Sequence, residues 1–219
     1  MPATKGYKGM GMEGGVARWY AKLTRKNLPD FEALAQRMAA NLSPRARVLE
    51  IAPGPGYFAI ALAKLGTFKI TGLDISNTFV EIARRNAQDQ NVSVDFQRGN
   101  ASQMPFPDAN FDLIVCRAAF KNFSEPVRAL AEMRRVLRPG GKALIIDLRR
   151  DTPQQEIDTH IDAMNAGSLN AILMKWTFRF MLLKRAYTSE EFEKMIAQSG
   201  WGKHDIGEAP VGFEITLEK

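Results

Sequence analysis

Short apolar runs alternate with longer amphipathic runs along most of the chain. The short runs are rich in Val, Ile and Leu, and several are nearly continuous in apolar residues, as in parallel strands buried on both faces. They predict strands at 47–52, 68–74, 92–97, 111–117 and 142–148. The longer runs repeat their apolar residues with helical spacing. Regular alternation of strand and helix is typical of a doubly wound parallel α/β sheet with right-handed crossovers.

Local signals predict where several helices begin. Ser76 or Asn77 is placed to cap one helix N-terminus, and Ser124 is placed to cap another. Thr188 and Glu191 have the spacing of a capping box, in which the side chain of each residue bonds the backbone N–H of the other. These signals divide the amphipathic runs into separate helices.

The alternation lapses after the fifth predicted strand, where we expect an insertion of two helices. After it come one more helix and two strands, joined by a turn at Pro210 to Gly212. With 219 residues the chain suits a single domain. Its expected parts are an N-terminal arm (1–28), a cofactor-binding core (29–150), a helical insertion (151–187), and a C-terminal helix and strand pair (188–219).

The net charge of +6 is concentrated in two segments. Residues 1–28 carry +5 and residues 168–187 carry +4, so the rest of the chain sums to −3. A local anionic partner therefore fits the pattern better than a general nucleic-acid surface.

The few cysteines and histidines restrict the chemistry further. Cys116 is the single cysteine, which excludes an internal disulfide and a multi-cysteine metal site. His160 and His204 lie far apart in sequence and form no ligand motif, so no metal is expected. The first residues have no apolar core like that of a signal peptide, and we expect a cytoplasmic protein.

The stretch VLEIAPGPGYFAIALA, at 48–63, places a carboxylate inside an apolar run and follows it with two glycines. In a doubly wound sheet, ligands bind beyond the carboxyl ends of the strands, where the strand order reverses. Glu50 lies near such an end. Gly54 and Gly56 remove side chains from the following turn, so that a ligand can lie against the backbone.

The next two strand ends complete a trough suited to adenosine. Asp74 ends the second predicted strand and is placed to accept two hydrogen bonds from the hydroxyls of a ribose. Asn100 offers a side-chain oxygen and Ala101 a backbone N–H, which suit the amino group and a ring nitrogen of adenine.

Two kinds of nucleotide ligand fit such a trough. The sequence GPGYFA satisfies the G-x-G-x-x-G/A pattern of NAD sites, but that pattern alone is weakly specific. Glu50 is a poor neighbour for a diphosphate and a good one for a ligand with a cationic amino-acid end, since a buried charge needs a partner. We expect Glu50 to orient the loop or to balance such a ligand, directly or through water.

Four segments within 40–150 resemble the class I S-adenosylmethionine-dependent methyltransferases, and in particular the group similar to the ubiquinone and menaquinone biosynthesis methyltransferases. The segments are VLEIAPGPGYF, GLDIS, GNASQMPFPDANFDLIVCRAAF and EMRRVLRPGGKALIIDL. The resemblance implies a Rossmann-like doubly wound sheet of seven strands, mostly parallel with an antiparallel last strand, flanked by helices.

The resemblance also implies the cofactor and the reaction. The cofactor would be S-adenosyl-L-methionine and its product S-adenosyl-L-homocysteine. The methyl group would pass by in-line displacement to a small-molecule acceptor, anionic or partly apolar, with the arm and the insertion as lids. The implied cofactor contacts are Glu50, Ala52, Gly54, Gly56, Asp74, Ile75, Asn100, Ala101 and Arg117.

The chain departs from the pattern of this group at three places. Asn100 stands where an acid is usual, Pro53 stands where a small residue is usual, and Lys121 with Asn122 replaces a His pair. A mechanism that depends on those histidines does not transfer. Two catalytic candidates remain, each weighed against an ordinary structural or solvated role: Lys121, to meet an anionic acceptor, and His160, as a general base.

Other functions stay open on the sequence alone. The apolar and basic segment 168–187 suits a peripheral membrane methyltransferase for a lipid-like quinone precursor, although it is too interrupted to span a bilayer. The absent His pair suits a protein that binds S-adenosylmethionine without catalysis. Base methylation is disfavoured because RAAF, at 117–120, lacks the Asp/Asn-Pro-Pro-Tyr/Phe cluster, and hydride transfer is disfavoured because a Tyr-x-x-x-Lys dyad is absent. The oligomeric state is not indicated.

Overall fold

A computed structural model describes residues 6–8, 11–162, 183–209 and 211–219. Its strands are β1 (Arg47–Ile51), β2 (Lys69–Asp74), β3 (Asp95–Arg98), β4 (Phe111–Arg117), β5 (Leu137–Leu148), β6 (Lys203–Ala209) and β7 (Gly212–Glu218). Its helices are α1 (Gly14–Thr24), α2 (Leu28–Ala39), α3 (Tyr57–Ala63), α4 (Asn77–Asp89), α5 (Pro126–Val136), α6 (Gln154–Asp162) and α7 (Ser189–Gln198).

The seven strands of the described residues form one sheet in the order β3-β2-β1-β4-β5-β7-β6. β1 to β5 are parallel to one another, and β7 runs antiparallel to both β5 and β6. This confirms the predicted fold class, including the antiparallel last strand. The two largest differences from the predicted boundaries are that β3 begins three residues later, at Asp95, and that β5 begins at Leu137, across a register shift opposite Phe111 and Leu113.

Helices cover both faces of the sheet and bury two apolar clusters. One cluster packs α2, α3 and α4 against the sheet and is centred on Leu34, Phe58 and Phe96. The other packs α5 and α7 against the opposite face and includes Leu130 and Phe192. Central strands buried on both sides explain the nearly continuous apolar runs in the sequence.

Two of the predicted helix caps are confirmed and one is wrong. The Ser76 side chain accepts the N–H of Phe79 at 3.1 Å, and the Thr188 capping box is complete. Ser124 does not cap α5, because that helix begins at Pro126 and Glu125 takes the cap position without a side-chain bond. The Ser124 hydroxyl is instead buried, and no group in the described part of the chain bonds it.

The predicted arm contains an ordered helix, α1, and the described part of the insertion contains α6. A single 3₁₀ turn at Leu183–Arg185 leads from the insertion toward α7. The second helix predicted for the insertion, and most of the basic segment 168–187, lie outside the described residues. No described helix is both long and apolar enough to cross a membrane.

Candidate active site

The strand order reverses at β1, which lies between β2 and β4. The carboxyl ends of these strands carry the predicted site residues, so Glu50, Asp74 and Arg117 converge on one edge of the sheet. The loop that follows β1 crosses this edge and enters α3 at Tyr57. The topology therefore brings together the residues that the sequence placed at three separate strand ends.

The two glycines of the loop have different roles. Both have a positive φ, which is +53° at Gly54 and +79° at Gly56, so both positions favour glycine. A Cβ at Gly56 would lie 2.7 Å from the Phe96 ring, whereas a Cβ at Gly54 would make only an ordinary van der Waals contact, 4.0 Å from Phe79. Gly56 lets α3 pack against the sheet, and Gly54 leaves the surface of the loop open to a ligand.

Asp74 fixes the loop from the end of β2. Its two carboxylate oxygens accept the N–H groups of Gly54 at 3.0 Å and of Ser76 at 2.9 Å. Burial raises the pKa of Asp74 to about 6, although these hydrogen bonds oppose the rise. Asp74 thus holds the strand ends in place while keeping further lone pairs for a ribose. The ribose contact itself stays a prediction.

Glu50 is fully buried, and its Oε2 accepts the N–H of Ala59 in the first turn of α3 at 3.1 Å. Burial raises its pKa to about 8, helped by the Asp74 charge and opposed by the Ala59 hydrogen bond and Arg117. The group is therefore a neutral acid at pH 7. The hydrogen bond from Ala59 is one way in which Glu50 can orient the loop. A cationic ligand would favour the ionised carboxylate form of Glu50.

Two alanines at this edge hold an uncommon backbone conformation. Ala52, after β1, has φ +54°, and Ala118, after β4, has φ +56°. Each N–H is bonded, to Leu73 O and to Ile146 O respectively, at 2.8 and 2.7 Å. Left-handed non-glycine residues are found disproportionately at functional sites, where the surrounding structure maintains them. Ala118 carried no signal in the sequence analysis.

The loop after β3 lies where adenine was expected. Asn100 Oδ1 accepts the N–H of Ser102 at 2.9 Å, and Ala101 is buried in the apolar core. Gly6 of the arm packs tightly here, because a Cβ on it would meet both the Asn100 amide and the Ile75 side chain at 2.7 Å. Adenine contacts by Asn100, Ala101 and Ile75 stay predictions, and so does a covering role for the arm.

The rest of the arm is attached to the start of α4. Glu13 accepts the N–H groups of Asn77 and Thr78 at 2.9 and 3.0 Å, and Met12 O accepts the Ser76 hydroxyl at 2.6 Å. Although its slight burial opposes the effect, the bonds from Thr78 and Asn77 hold the pKa of Glu13 below its usual range. Negative charge at a helix N-terminus is stabilising. These bonds attach the arm to the start of α4, next to the carboxyl end of β2.

Arg117 and Lys121 both make contacts with protein groups near the carboxyl end of β4. The Arg117 guanidinium lies 4.2 Å above the Phe31 ring and 3.9 Å from Asp30, so it reaches toward α2. Lys121 is buried, not an exposed lysine, and its ammonium bonds Asp147 Oδ1 at 2.7 Å. Their predicted contacts with cofactor or acceptor remain predictions.

Asp147 is the site residue that sequence reasoning missed. It lies near the end of β5, is 6% exposed, and also accepts the N–H of Lys121 at 2.9 Å. The available signal was a carboxylate inside the apolar run KALIIDL, the same signal that singled out Glu50. His160 lies in α6 with its side chain outside the described part. In the described ranges no group of three or more metal-ligating side chains is present.

Comparison with known proteins identifies the architecture. A family model described as a methyltransferase domain matches residues 49–145, which include the loop after β1, Asp74 and the strand β4. Residues 49–145 thus match a methyltransferase domain, and structures of S-adenosylmethionine-dependent methyltransferases share the fold of this chain. S-adenosyl-L-methionine, the cofactor named for these neighbours, is the one that the sequence motifs predict.

Curated relatives of the methyltransferase domain come from several bacteria. A demethylmenaquinone methyltransferase of Deinococcus radiodurans is 41% identical over 106 residues, 48% of this chain and 44% of that protein. The uncharacterized methyltransferase YcgJ of Bacillus subtilis is 32% identical over 163 residues, 72% of this chain and 64% of that protein. The chain therefore spans about half to two thirds of the length of these relatives.

Solved structures extend the likeness to nearly the whole methyltransferase fold. A crystal structure from Methanococcus maripaludis has a TM-score of 0.76 at 23% identity and covers 97% of this chain and 95% of that one. A SAM-dependent methyltransferase from Aquifex aeolicus has a TM-score of 0.69 at 19% identity, covering 92% of this chain and 95% of that one. At these identities the likeness shows the fold.

Substituting the two glycines of the loop separates binding from packing. We expect Gly54→Ala to keep the fold, at about 1–2 kcal/mol for its left-handed backbone, and to weaken S-adenosylmethionine binding at least tenfold by adding a methyl group to the trough. Gly56→Ala forces the same strain and a clash with Phe96, so it should lose about 1–3 kcal/mol more in stability. Thermal unfolding and calorimetric titration of both variants measure this, and equal stabilities would contradict the division of roles.

Proposed function

We propose that the chain transfers the methyl group of S-adenosylmethionine to a small acceptor with an apolar ring, of the quinol type. The observation that carries the proposal is the pair of buried carboxyl groups, Glu50 and Asp74, on either side of the open Gly54 turn. A cationic adenosyl ligand favours the ionised form of both groups, whereas a diphosphate would be repelled by the Asp74 carboxylate and would not favour ionisation of Glu50.

The residues of the trough fit this cofactor. Asp74 would hold the ribose and Glu50 the charged amino-acid end, with Gly54 between them and the loop at Asn100 beside the adenine. The bound cofactor supplies a methyl group on a sulfonium, whose leaving group is a neutral thioether that needs no acid. The protein's task is therefore to align the acceptor and to exclude water.

Water exclusion is the role that we assign to the arm. Gly6 lies against Asn100 and Ile75, and the Tyr57 hydroxyl donates to Ala21 O of α1 at 2.8 Å. Tyr20 of α1 packs edge-on against Phe79 at 5.9 Å between ring centroids, and burial raises its pKa, with Arg117 opposing the rise. The tyrosine hydroxyl stays protonated and can donate a hydrogen bond into the site.

The acceptor position is proposed at the carboxyl ends of β4 and β5, beside the Lys121 and Asp147 pair. The Lys121 ammonium donates to Asp147 Oδ1 and to Ala118 O, both at 2.7 Å, which leaves its third proton for another acceptor atom. That proton suits the oxygen of a quinol or its anion. The name of the demethylmenaquinone methyltransferase relative from Deinococcus radiodurans supports this acceptor class.

The test is titration followed by turnover. Calorimetry with S-adenosylmethionine, S-adenosylhomocysteine and NAD should show binding of the two adenosyl thioethers and none of NAD. A methyl-labelled cofactor should then label reduced naphthoquinones or benzoquinones that lack the ring methyl group. Cofactor binding with no transfer to any quinol or other small acceptor would instead favour a non-catalytic binding protein.

Asp74→Ala tests the cofactor assignment. Loss of the ribose hydrogen bonds and of the loop tether should weaken cofactor binding by about 1–3 kcal/mol, or 5–150-fold. Asp95→Ala is the matched control, since Asp95 is an exposed acid at the start of β3, the opposite end of the sheet. Unchanged cofactor affinity in Asp74→Ala would refute the proposed trough.

A further inference from the structure

The outer face of α1 is apolar and exposed. Val16, Trp19 and Leu23 are 41%, 63% and 44% exposed and follow the spacing i, i+3, i+7, which places them on one side of the helix. In the described part of the chain they are three of the four large apolar side chains that are exposed, and the fourth is Leu65.

Basic side chains border this stripe. Arg18, Lys22, Arg25 and Lys26 are all exposed. None of them lies within ion-pair distance of a carboxylate among the described residues. The nearest preceding acid, Glu13, is already engaged by the N-terminus of α4.

The opposite face of α1 is fixed to the domain. Ala17 and Ala21 are buried, Tyr20 packs on Phe79, and the Gly14 N–H donates to the Thr78 hydroxyl at 2.9 Å. The exposed stripe is therefore a stable feature of the folded surface, directed away from the core, on the segment that covers the cofactor trough.

We infer that α1 docks the protein onto the surface of an anionic phospholipid bilayer. Tryptophan and aliphatic side chains flanked by lysine and arginine are the composition of helices that lie in the membrane interface, where the apolar face enters the headgroup boundary and the cations meet anionic lipid. The cations favour an anionic partner, and the central Trp19 with Leu23 favours a lipid surface over a purely electrostatic one.

Docking through α1 would place the mouth of the site at the membrane. An acceptor with an apolar tail could then enter beside the arm without crossing water. This step rests on the proposed function, whereas the docking itself does not, so the two are tested separately.

The experiment is sedimentation of the full chain with vesicles. We expect binding to phosphatidylcholine vesicles in which about a third of the lipid is the anionic phosphatidylglycerol. We expect little binding to vesicles of phosphatidylcholine alone. Trp19→Ser with Leu23→Ser should reduce the bound fraction at least fivefold at equal lipid. Leu65→Ser is the matched control, because Leu65 is 44% exposed, as Leu23 is, but follows α3.

Charge-reversal variants test the electrostatic contribution to vesicle binding. Lys22→Glu with Lys26→Glu should abolish binding to anionic vesicles, while Arg85→Glu, on the exposed side of α4, should leave it nearly unchanged. Calorimetric binding of S-adenosylhomocysteine should be the same in all variants, which shows that the fold and the trough are intact. The docking proposal would be refuted if the Trp19 and Leu23 substitutions left vesicle binding unchanged. It would also be refuted if binding depended only on the charge substitutions.

Discussion

Glu50→Gln should make the unliganded protein more stable at pH 8, by about 3–5 kcal/mol, and leave its stability at pH 4.5 nearly unchanged. The cause is the burial of Glu50, which raises its folded-state pKa to about 8 from an ordinary value of 4.5. Glutamine keeps the shape of the side chain and can still accept the N–H of Ala59, but it carries no titrating proton.

The sign follows from proton linkage. Between pH 4.5 and 8 the folded protein keeps the Glu50 proton and the unfolded chain has lost it, so folding is opposed more strongly as the pH rises. One proton changes the free energy of unfolding by about 1.4 kcal/mol per pH unit across that window. Asp74 adds a similar loss between pH 3.8 and about 6, which both proteins share.

Urea unfolding at a series of pH values measures the difference between Glu50→Gln and the parent chain. Glu81→Gln, an exposed acid on α4, should follow the parent curve throughout. Parallel curves for Glu50→Gln and the parent would mean that Glu50 is ionised in the unliganded protein.

The same substitution should impair the function that we propose. A cation in the trough favours the Glu50 carboxylate, so binding of S-adenosylmethionine should release a proton and strengthen as the pH rises from 6 to 8. Glu50→Gln should remove that pH dependence and weaken binding at pH 8 about tenfold or more. A stabilising change that costs affinity is the pattern expected of a residue retained for function.

The sheet was predictable because its strands are buried on both faces and its crossovers are helices. Those two conditions make the strands nearly continuous in apolar residues and place Glu50 and Asp74 at strand ends that can be read from the sequence. A carboxylate within such a run has few structural reasons to be there, which is why Glu50 was identified. Asp147 had the same signal in β5.

Contacts between distant segments could not be predicted in this way. The bonds of Glu13 to α4 and the close packing of Gly6 against the Asn100 loop join segments more than 60 residues apart, and neither has a periodic pattern. Ser124 shows the limit of a local signal. Because the cap position of α5 is Glu125, one residue further along the chain, Ser124 does not cap the helix and its hydroxyl is buried. Lys121 pairs with Asp147 of β5. Sequence spacing does not reveal that β5 lies beside β4, so this ion pair could not be predicted.

Lys121→Met should destabilise the protein by about 3–5 kcal/mol, the second large effect. The side chains of Lys121 and Asp147 are 7% and 2% exposed, so the methionine would leave a buried carboxylate without its cation. Asp147 would keep its bonds from the N–H groups of Lys121 and Leu148, at 2.9 and 2.8 Å, but Ala118 O would lose its partner.

The double variant Lys121→Met with Asp147→Leu separates structure from function. Replacing a buried ion pair by apolar side chains of similar size is often neutral or stabilising, so most of the lost stability should return, as measured by urea unfolding. If the third proton of the ammonium holds the acceptor, the double variant should bind S-adenosylhomocysteine normally and transfer methyl groups at least tenfold more slowly. Recovery of both stability and turnover would show that the pair serves only the fold, because no charge would remain there to position a quinol oxygen.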